Sequence, residues 1–192
     1  MIDINELLID INYRSSNIVQ GLIFTNQDCN NIIKYCRSMN EEVASVADFK
    51  DNEVRKSLVT WIPKNEQTEV IFNLIRKNAQ LANNENWKLD LTGFTEPIQF
   101  TRYLSDGSHY GWHMDTGNGR TSLRKLSVVI QLSDPNEYEG GDLQIQTEGR
   151  ITADRVQGNM VIFPSYMQHR VTPVTKGERY SLVIWISGPP LR

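Results

Sequence analysis

The chain has 192 residues, 39% hydrophobic and 22% charged, with 20 Lys plus Arg against 23 Asp plus Glu for a formal net charge of −3. This length suits one domain with a sizeable core, and the make-up is too apolar for a disordered segment. No basic block supplies the electrostatic footprint of a nucleic-acid binder, and the longest apolar run, Leu182 to Ile186, is far too short to span a bilayer.

The start, Met1-Ile2-Asp3-Ile4-Asn5-Glu6, is acidic where a signal peptide is basic, so a cytoplasmic location is expected. Thr25-Asn26-Gln27-Asp28 has the form of a helix start, followed by Cys29, Ile32, Ile33, Cys36 and Met39 at helical spacing. Seven residues of helix separate the only cysteines by about 10 Å, beyond disulfide reach. They read as buried apolar residues, and a cysteine-based zinc site is excluded. Val54, Leu58 and Ile62 share one parity of a strand-like run ending at Pro63. A second amphipathic helix carries Val70, Ile71, Leu74, Ile75, Asn78 and Leu81, with a stop expected at Asn83-Asn84, after which Trp87, Leu89 and Leu91 alternate.

From Ile98 onward the pattern changes to short alternating runs separated by turns such as Asp106-Gly107, Asp134-Pro135-Asn136, Gln157-Gly158-Asn159 and Lys176-Gly177. Regular short strands of this kind indicate a β-sandwich or barrel. The expected architecture is α+β, mainly β: one domain in which residues 1–96 form a helical support for a β core over residues 97–187.

The alternation separates two faces. Ile98, Phe100 and Leu104, then Leu126, Val128, Ile130 and Leu132, then Tyr180, Leu182, Ile184 and Ile186 form clean apolar sets that the N-terminal helices can cover. Opposite them stand Gln99, Thr101 and Tyr103, then Ser127, Val129 and Gln131, then Arg179, Ser181, Val183 and Trp185. A partly polar interior implies a bound ligand, because unpaired buried polar groups are costly.

His113-Met114-Asp115 reads as a strand segment whose imidazole and carboxylate project to one face. His169 opens a later run. Two histidines and one carboxylate on neighbouring strands make the facial triad that suits non-haem Fe(II), with a solvent-facing His-x-Asp pair as the competing reading. Arg179 starts the last strand on the mixed face, where a buried guanidinium needs an anion, and its fork matches a carboxylate. His109 precedes His113 by four residues, but His-x-x-x-His aligns ligands on a helix, so His109 reads as a rim or turn residue.

The segments Gln99–Tyr103, His113-x-Asp115, Leu132-Ser133-Asp134-Pro135, Glu139-Gly140-Gly141-Asp142-Leu143, Phe163-Pro164-Ser165, His169-Arg170-Val171-Thr172-Pro173-Val174-Thr175 and Gly177-Glu178-Arg179 together resemble the iron and 2-oxoglutarate-dependent dioxygenases. The likeness is to the prolyl-4-hydroxylase-like branch and its PKHD-type bacterial relatives, dense over residues 97–187. It implies a double-stranded β-helix (jelly roll) with the N-terminal helices packed on one sheet. It also implies that His113, Asp115 and His169 bind Fe(II), and that Arg179 pairs with the C5 carboxylate of 2-oxoglutarate. Tyr103 matches a tyrosine that contacts the cosubstrate. Gln131 stands where some relatives carry another tyrosine, leaving Gln131 or Ser181 as the carboxylate's second partner. Gly140-Gly141 is expected to allow a tight approach into the next strand. O2 is the co-oxidant and ascorbate a reductant.

The reaction implied is hydroxylation of an unactivated C–H bond, on a prolyl residue of a peptide or protein, with a free amino acid or other small molecule as the alternative. Arg124 matches an arginine at the substrate mouth. Trp112, His109 and Arg124 could stack a proline ring and bond a peptide carbonyl, while Trp185 could wall the cosubstrate pocket or fill core. A metal- or ligand-binding jelly roll without oxygenase activity is the reading from another class. It has no need of a buried carboxylate clamp at Arg179.

Overall fold

The first helix begins where the sequence asks it to. Thr25 Oγ1 accepts from the Asp28 backbone N–H at 3.2 Å, and Asp28 Oδ2 accepts from the Thr25 N–H at 2.9 Å, a reciprocal capping box. The computed structural model describes residues 10–14, 17–44 and 53–190, so the acidic start at Met1–Glu6 lies outside the described residues. In chain order the elements are β1 (Asp10–Arg14), β2 (Val19–Leu22), α1 (Asn26–Arg37), β3 (Glu42–Val43), β4 (Arg55–Lys56), β5 (Leu58–Ile62) and α2 (Glu69–Asn86). Then come β6 (Ile98–Leu104), β7 (His109–His113), a 3-10 turn at Gly119–Leu123, β8 (Arg124–Gln131), β9 (Glu139–Gly140), β10 (Leu143–Gln146) and β11 (Arg150–Thr152). The chain closes with β12 (Asn159–Pro164), β13 (His169–Val171), β14 (Val174–Lys176) and β15 (Glu178–Ser187).

These strands build a large sheet of eight in the order β1-β2-β12-β8-β15-β6-β5-β3, a smaller sheet of five in the order β11-β10-β13-β7-β4, and a β14-β9 pair. The strand pairings among the described residues are antiparallel, and the two main sheets form the jelly roll that the family resemblance implies. The two faces also separate as the alternation predicts. Phe100, Leu126, Val128, Ile130, Leu182 and Ile184 are fully buried in a core with Cys29, Ile32 and Cys36 of α1 and Ile71, Phe72 and Ile75 of α2. A second, smaller core lies between the sheets, around Tyr103, Val129, Leu143, Ile145, Phe163 and Val174. Both cysteines are free and buried, and burial pushes each thiol up to about 12. No helix among the described residues is long and apolar enough to cross a membrane.

Several boundaries differ from the sequence reading. The run from Val54 to Ile62 is split between sheets: β4 pairs with β7 of the small sheet, while β5 pairs with β6 of the large one. Val54 falls in the turn before β4 and is exposed. Residues 1–96 are therefore more than a helical support, since their strands edge both sheets. Helix α2 runs past Asn83-Asn84, because the Asn83 side chain binds both the Leu89 N–H and the Leu89 carbonyl, fastening the chain after the helix instead of stopping it. Leu81 is exposed, and Phe72, Ala79 and Ala82 fill the buried stripe in its place. Trp87, Leu89 and Leu91 pack on the core as irregular chain rather than a strand.

Thr25→Ala removes one half of the capping box and leaves the Asp28 N–H without its acceptor. It is expected to lower stability by about 1 kcal/mol, read as a shift in the urea midpoint at unchanged slope.

Candidate active site

His113 ends β7 and His169 opens β13, and the two residues are directly paired across the strands. The next pair is Val171 with Tyr110, so Gly111 and Trp112 of β7 stand opposite Arg170 alone, a bulge. The bulge sends both Tyr110 and His113 into the space between the sheets. There the Tyr110 ring stacks on the His113 imidazole with centroids 3.5 Å apart. Burial pushes the Tyr110 hydroxyl up to about 12.

Asp115 lies just past the end of β7, not on the strand as the His-x-Asp spacing suggested. It reaches the same face because its N–H and that of Thr116 both donate to the Ser165 carbonyl, at 3.0 and 3.2 Å. Ser127 Oγ, itself 3.0 Å from Ser165 Oγ, donates to Asp115 Oδ2 at 2.6 Å. The result is a tight cluster: His113 Nε2 is 3.6 Å from Asp115 Oδ1, and His169 Nε2 is 3.4 Å from Asp115 Oδ2. One donor atom from each of the three residues lies within 4.8 Å of the others.

The hydrogen bonds decide which nitrogens are free. His113 Nδ1 is 2.8 Å from the Gly111 carbonyl and His169 Nδ1 is 3.0 Å from the Met167 carbonyl. A carbonyl only accepts, so each Nδ1 carries the proton and each Nε2 offers its lone pair toward Asp115. Burial pushes the His169 imidazole down, toward the neutral form a ligand needs, with Asp115 acting in the opposite sense. Burial alone would raise Asp115, but the neighbouring imidazoles, His169 first, and the hydrogen bond from Ser127 hold its carboxyl well below the usual range. Two imidazole nitrogens and one carboxylate converging on one point fit a divalent iron.

The cluster opens into a cavity of about 780 Å³ lined by both sheets. Arg179 lines the same cavity and is only 1% exposed. Its Nη2 donates to Gln131 Oε1 at 2.7 Å, and its Nη1 is 3.4 Å from Ser181 Oγ. Its Nε has no partner, and among the described residues no carboxylate pairs with it. A buried cation with an open donor fits an anion that the protein does not itself provide. Gln131 and Ser181 are thus both beside the guanidinium, but Ser181 faces the cavity and Gln131 is not among its lining residues. Tyr103 lines the cavity with its ring centroid 5.3 Å from the Arg179 Cζ. Gly140 and Gly141 sit at φ +73° and +66°, and a Cβ at Gly141 would lie 2.8 Å from Arg179 Cδ, so the glycine leaves room for the arginine's stem.

The rim residues divide. Trp185 and Arg124 line the cavity, with the Arg124 Cζ 3.6 Å from the centroid of the Trp185 ring, and Trp185 Nε1 is buried without a partner. His109 and Trp112 are not among the lining residues. Both His109 ring nitrogens sit against backbone carbonyls, of Gly107 and Glu53, and the Trp112 ring lies near the guanidinium groups of Arg150 and Arg170. Ordinary strand alternation explains Trp112, which as the neighbour of His113 faces the far side of the small sheet. Sequence reasoning missed Tyr110, Ser127 as a support for Asp115, and Arg55. The last is a cavity-lining arginine, 7% exposed, with its Cζ 4.6 Å from the Tyr110 ring centroid.

Residues 98–187 match the family model described as the 2OG-Fe(II) oxygenase superfamily. A "PKHD-type hydroxylase" of Shewanella sp. (strain ANA-3) is 31% identical over 161 residues, covering 70% of this chain and 71% of that protein. The chain belongs to the 2OG-Fe(II) oxygenase superfamily. This is a superfamily of 2-oxoglutarate-dependent dioxygenases. Another "PKHD-type hydroxylase", from Synechococcus sp. (strain CC9605), is 46% identical over 84 residues, a stretch that spans 38% of its length. Among solved structures, a Pseudomonas putida prolyl-4-hydroxylase superposes with a TM-score of 0.74 at 23% identity, over 90% of this oxygenase and 93% of that chain. A Trichoplax adhaerens prolyl hydroxylase, solved with a peptide fragment of the hypoxia inducible factor oxygen degradation domain, gives a TM-score of 0.75 at 17% identity, over 90% and 84%. At these identities the likeness establishes the fold.

His113→Ala, Asp115→Ala and His169→Ala are each expected to abolish stoichiometric Fe(II) binding by anaerobic calorimetry while leaving the urea midpoint nearly unchanged, since both hydrophobic cores form without the metal. Arg179→Ala removes charge-assisted contacts worth about 1.5–3 kcal/mol and is expected to weaken 2-oxoglutarate binding tenfold to a hundredfold or more. An unchanged affinity would place the anion elsewhere.

Proposed function

We propose that this chain is an Fe(II)- and 2-oxoglutarate-dependent hydroxylase of a prolyl residue within a peptide or protein. One observation carries the enzyme reading: a two-histidine, one-carboxylate cluster and a buried arginine lacking an anion line the same cavity. A metal-binding module without turnover has no use for the second feature.

His113, Asp115 and His169 would hold the iron, and Arg179, with Ser181 and Gln131 beside it and Tyr103 facing it, would hold the far carboxylate of 2-oxoglutarate. When bound, Fe(II) and 2-oxoglutarate supply with O2 the oxidising power for C–H hydroxylation, the cosubstrate leaving as succinate and CO2. The protein's part is geometric and electrostatic. The Gly111 and Met167 carbonyls hold the tautomer of each histidine, while Ser127 and the Ser165 carbonyl fix Asp115. Trp185 and Tyr110 wall the cavity and limit the water that can reach the reacting atoms.

The prolyl part of the proposal is supported by the structural neighbours, which include two prolyl hydroxylases, and by the shape of the site. A cavity of about 780 Å³ has room for more than the cosubstrate, and its aromatic walls suit a proline ring.

In an assay with Fe(II), 2-oxoglutarate and ascorbate, a capped proline-containing peptide is expected to gain about 16 Da, one oxygen atom, with matching succinate release. Oxidation of free L-proline and none of the peptide would overturn the protein-substrate reading.

A further inference from the structure

Arg124 is placed to receive a substrate carboxylate, yet the structure gives its donors to other groups. Its Nε and Nη2 grip both oxygens of Glu96, at 2.8 and 2.5 Å, in a forked pair. Its Nη1 donates to the Asp115 backbone carbonyl at 3.3 Å, and its flat face lies on Trp185. Both partners of the pair are mostly out of water, the side chains being 14% and 22% exposed. Glu96 belongs to the irregular segment just before β6, twenty-eight residues away in sequence, and does not itself line the cavity.

We infer that Glu96 is a specificity-determining residue, one that neutralises Arg124 and so selects against substrates presenting a free carboxylate at the cavity mouth. The physical basis is a competition for one fork. A second carboxylate arriving at Arg124 would either displace Glu96, leaving that charge poorly solvated, or sit beside it and be repelled. With the pair intact, Arg124 offers the cavity a flat, charge-compensated wall that a peptide amide can lie against. An internal residue of a chain is accepted on these terms, and a free amino acid is not.

The inference rests on the peptide-substrate reading, so its test has to be separable from that reading. Two N-acetylated peptides ending in proline, one with a free C-terminal carboxylate and one amidated, are titrated into anaerobic protein loaded with Fe(II) and 2-oxoglutarate. The measured quantity is the ratio of their affinities. Glu96→Gln keeps an oxygen for Arg124 but loses the charge. It is expected to improve the ratio for the carboxylate form tenfold or more while changing the amide form less than about threefold, within the range of one charge-assisted contact. Arg55 and Arg120 also line the cavity, so the gain has to vanish in the Glu96→Gln/Arg124→Met double variant to be assigned to Arg124.

Arg124→Met alone leaves the Glu96 charge without its partner and is expected to lower the ratio, because an arriving carboxylate is then repelled; a rise in the ratio would overturn the inference without recourse to Glu96→Gln. An unchanged ratio in Glu96→Gln, or a gain that survives in the double variant, would overturn it as well. Hydroxylation of the capped peptide by the unmodified protein measures the substrate reading and does not enter the ratio.

Discussion

Strand β15 has to satisfy two environments at once, and the rest of the molecule is arranged around that demand. It lies between β6 and β8 in the middle of the large sheet, so no edge relieves it. One side of the strand carries Tyr180, Leu182, Ile184 and Ile186 into the helix-covered core, and the other carries Arg179, Ser181, Val183 and Trp185 into the cavity. A slip of one residue would exchange these sets, putting a guanidinium against α2 and aliphatic side chains where a ligand belongs. Register is therefore enforced twice, by the loss of hydrophobic burial on one side and by the loss of polar partners on the other. The neighbours obey the same rule, with Tyr103 opposite Arg179, and both Thr101 and Gln131 opposite Ser181.

Arg179 shows what this arrangement costs. Fully buried, with a glutamine and a distant serine as its polar contacts, it stands in a penalised state that only an anion relieves. Hydrophobic burial elsewhere in the two cores has to sustain it in the meantime.

The parts of this design that were legible in the sequence are those where a face is written several times over. Three or four residues of one parity in β6, β8 and β15 agree with one another, and the scarcity of histidine leaves few ways to assemble a metal site. What escaped was set by single local events. The bulge in β7 puts Tyr110 on the same face as His113, so alternation counted from His113 misplaces Tyr110. Asp115 leaves the strand and is aimed by a serine carbonyl from another loop. Arg55 carries no motif of its own, and the run containing it changes sheets at Ser57. Glu96 finds Arg124 across the fold, and nothing in its own neighbourhood announces the partner.

The way the first half of the chain is distributed has a consequence for synthesis and folding. Strand β2 closes one side of the β12-β8-β15-β6 block and β5 closes the other, while β4 pairs with the strand that ends in His113. Residues 98–187 taken alone would have raw strand edges on both sides, open to pairing with other chains. On the ribosome β5 can meet β6 early, but β2 has no core strand to join until β12 has been translated, and the β6-β8 gap stays open until β15 follows. Assembly of the large sheet is therefore long-range. Until it is complete the strand edges are exposed during synthesis, the kind of state that chaperones protect.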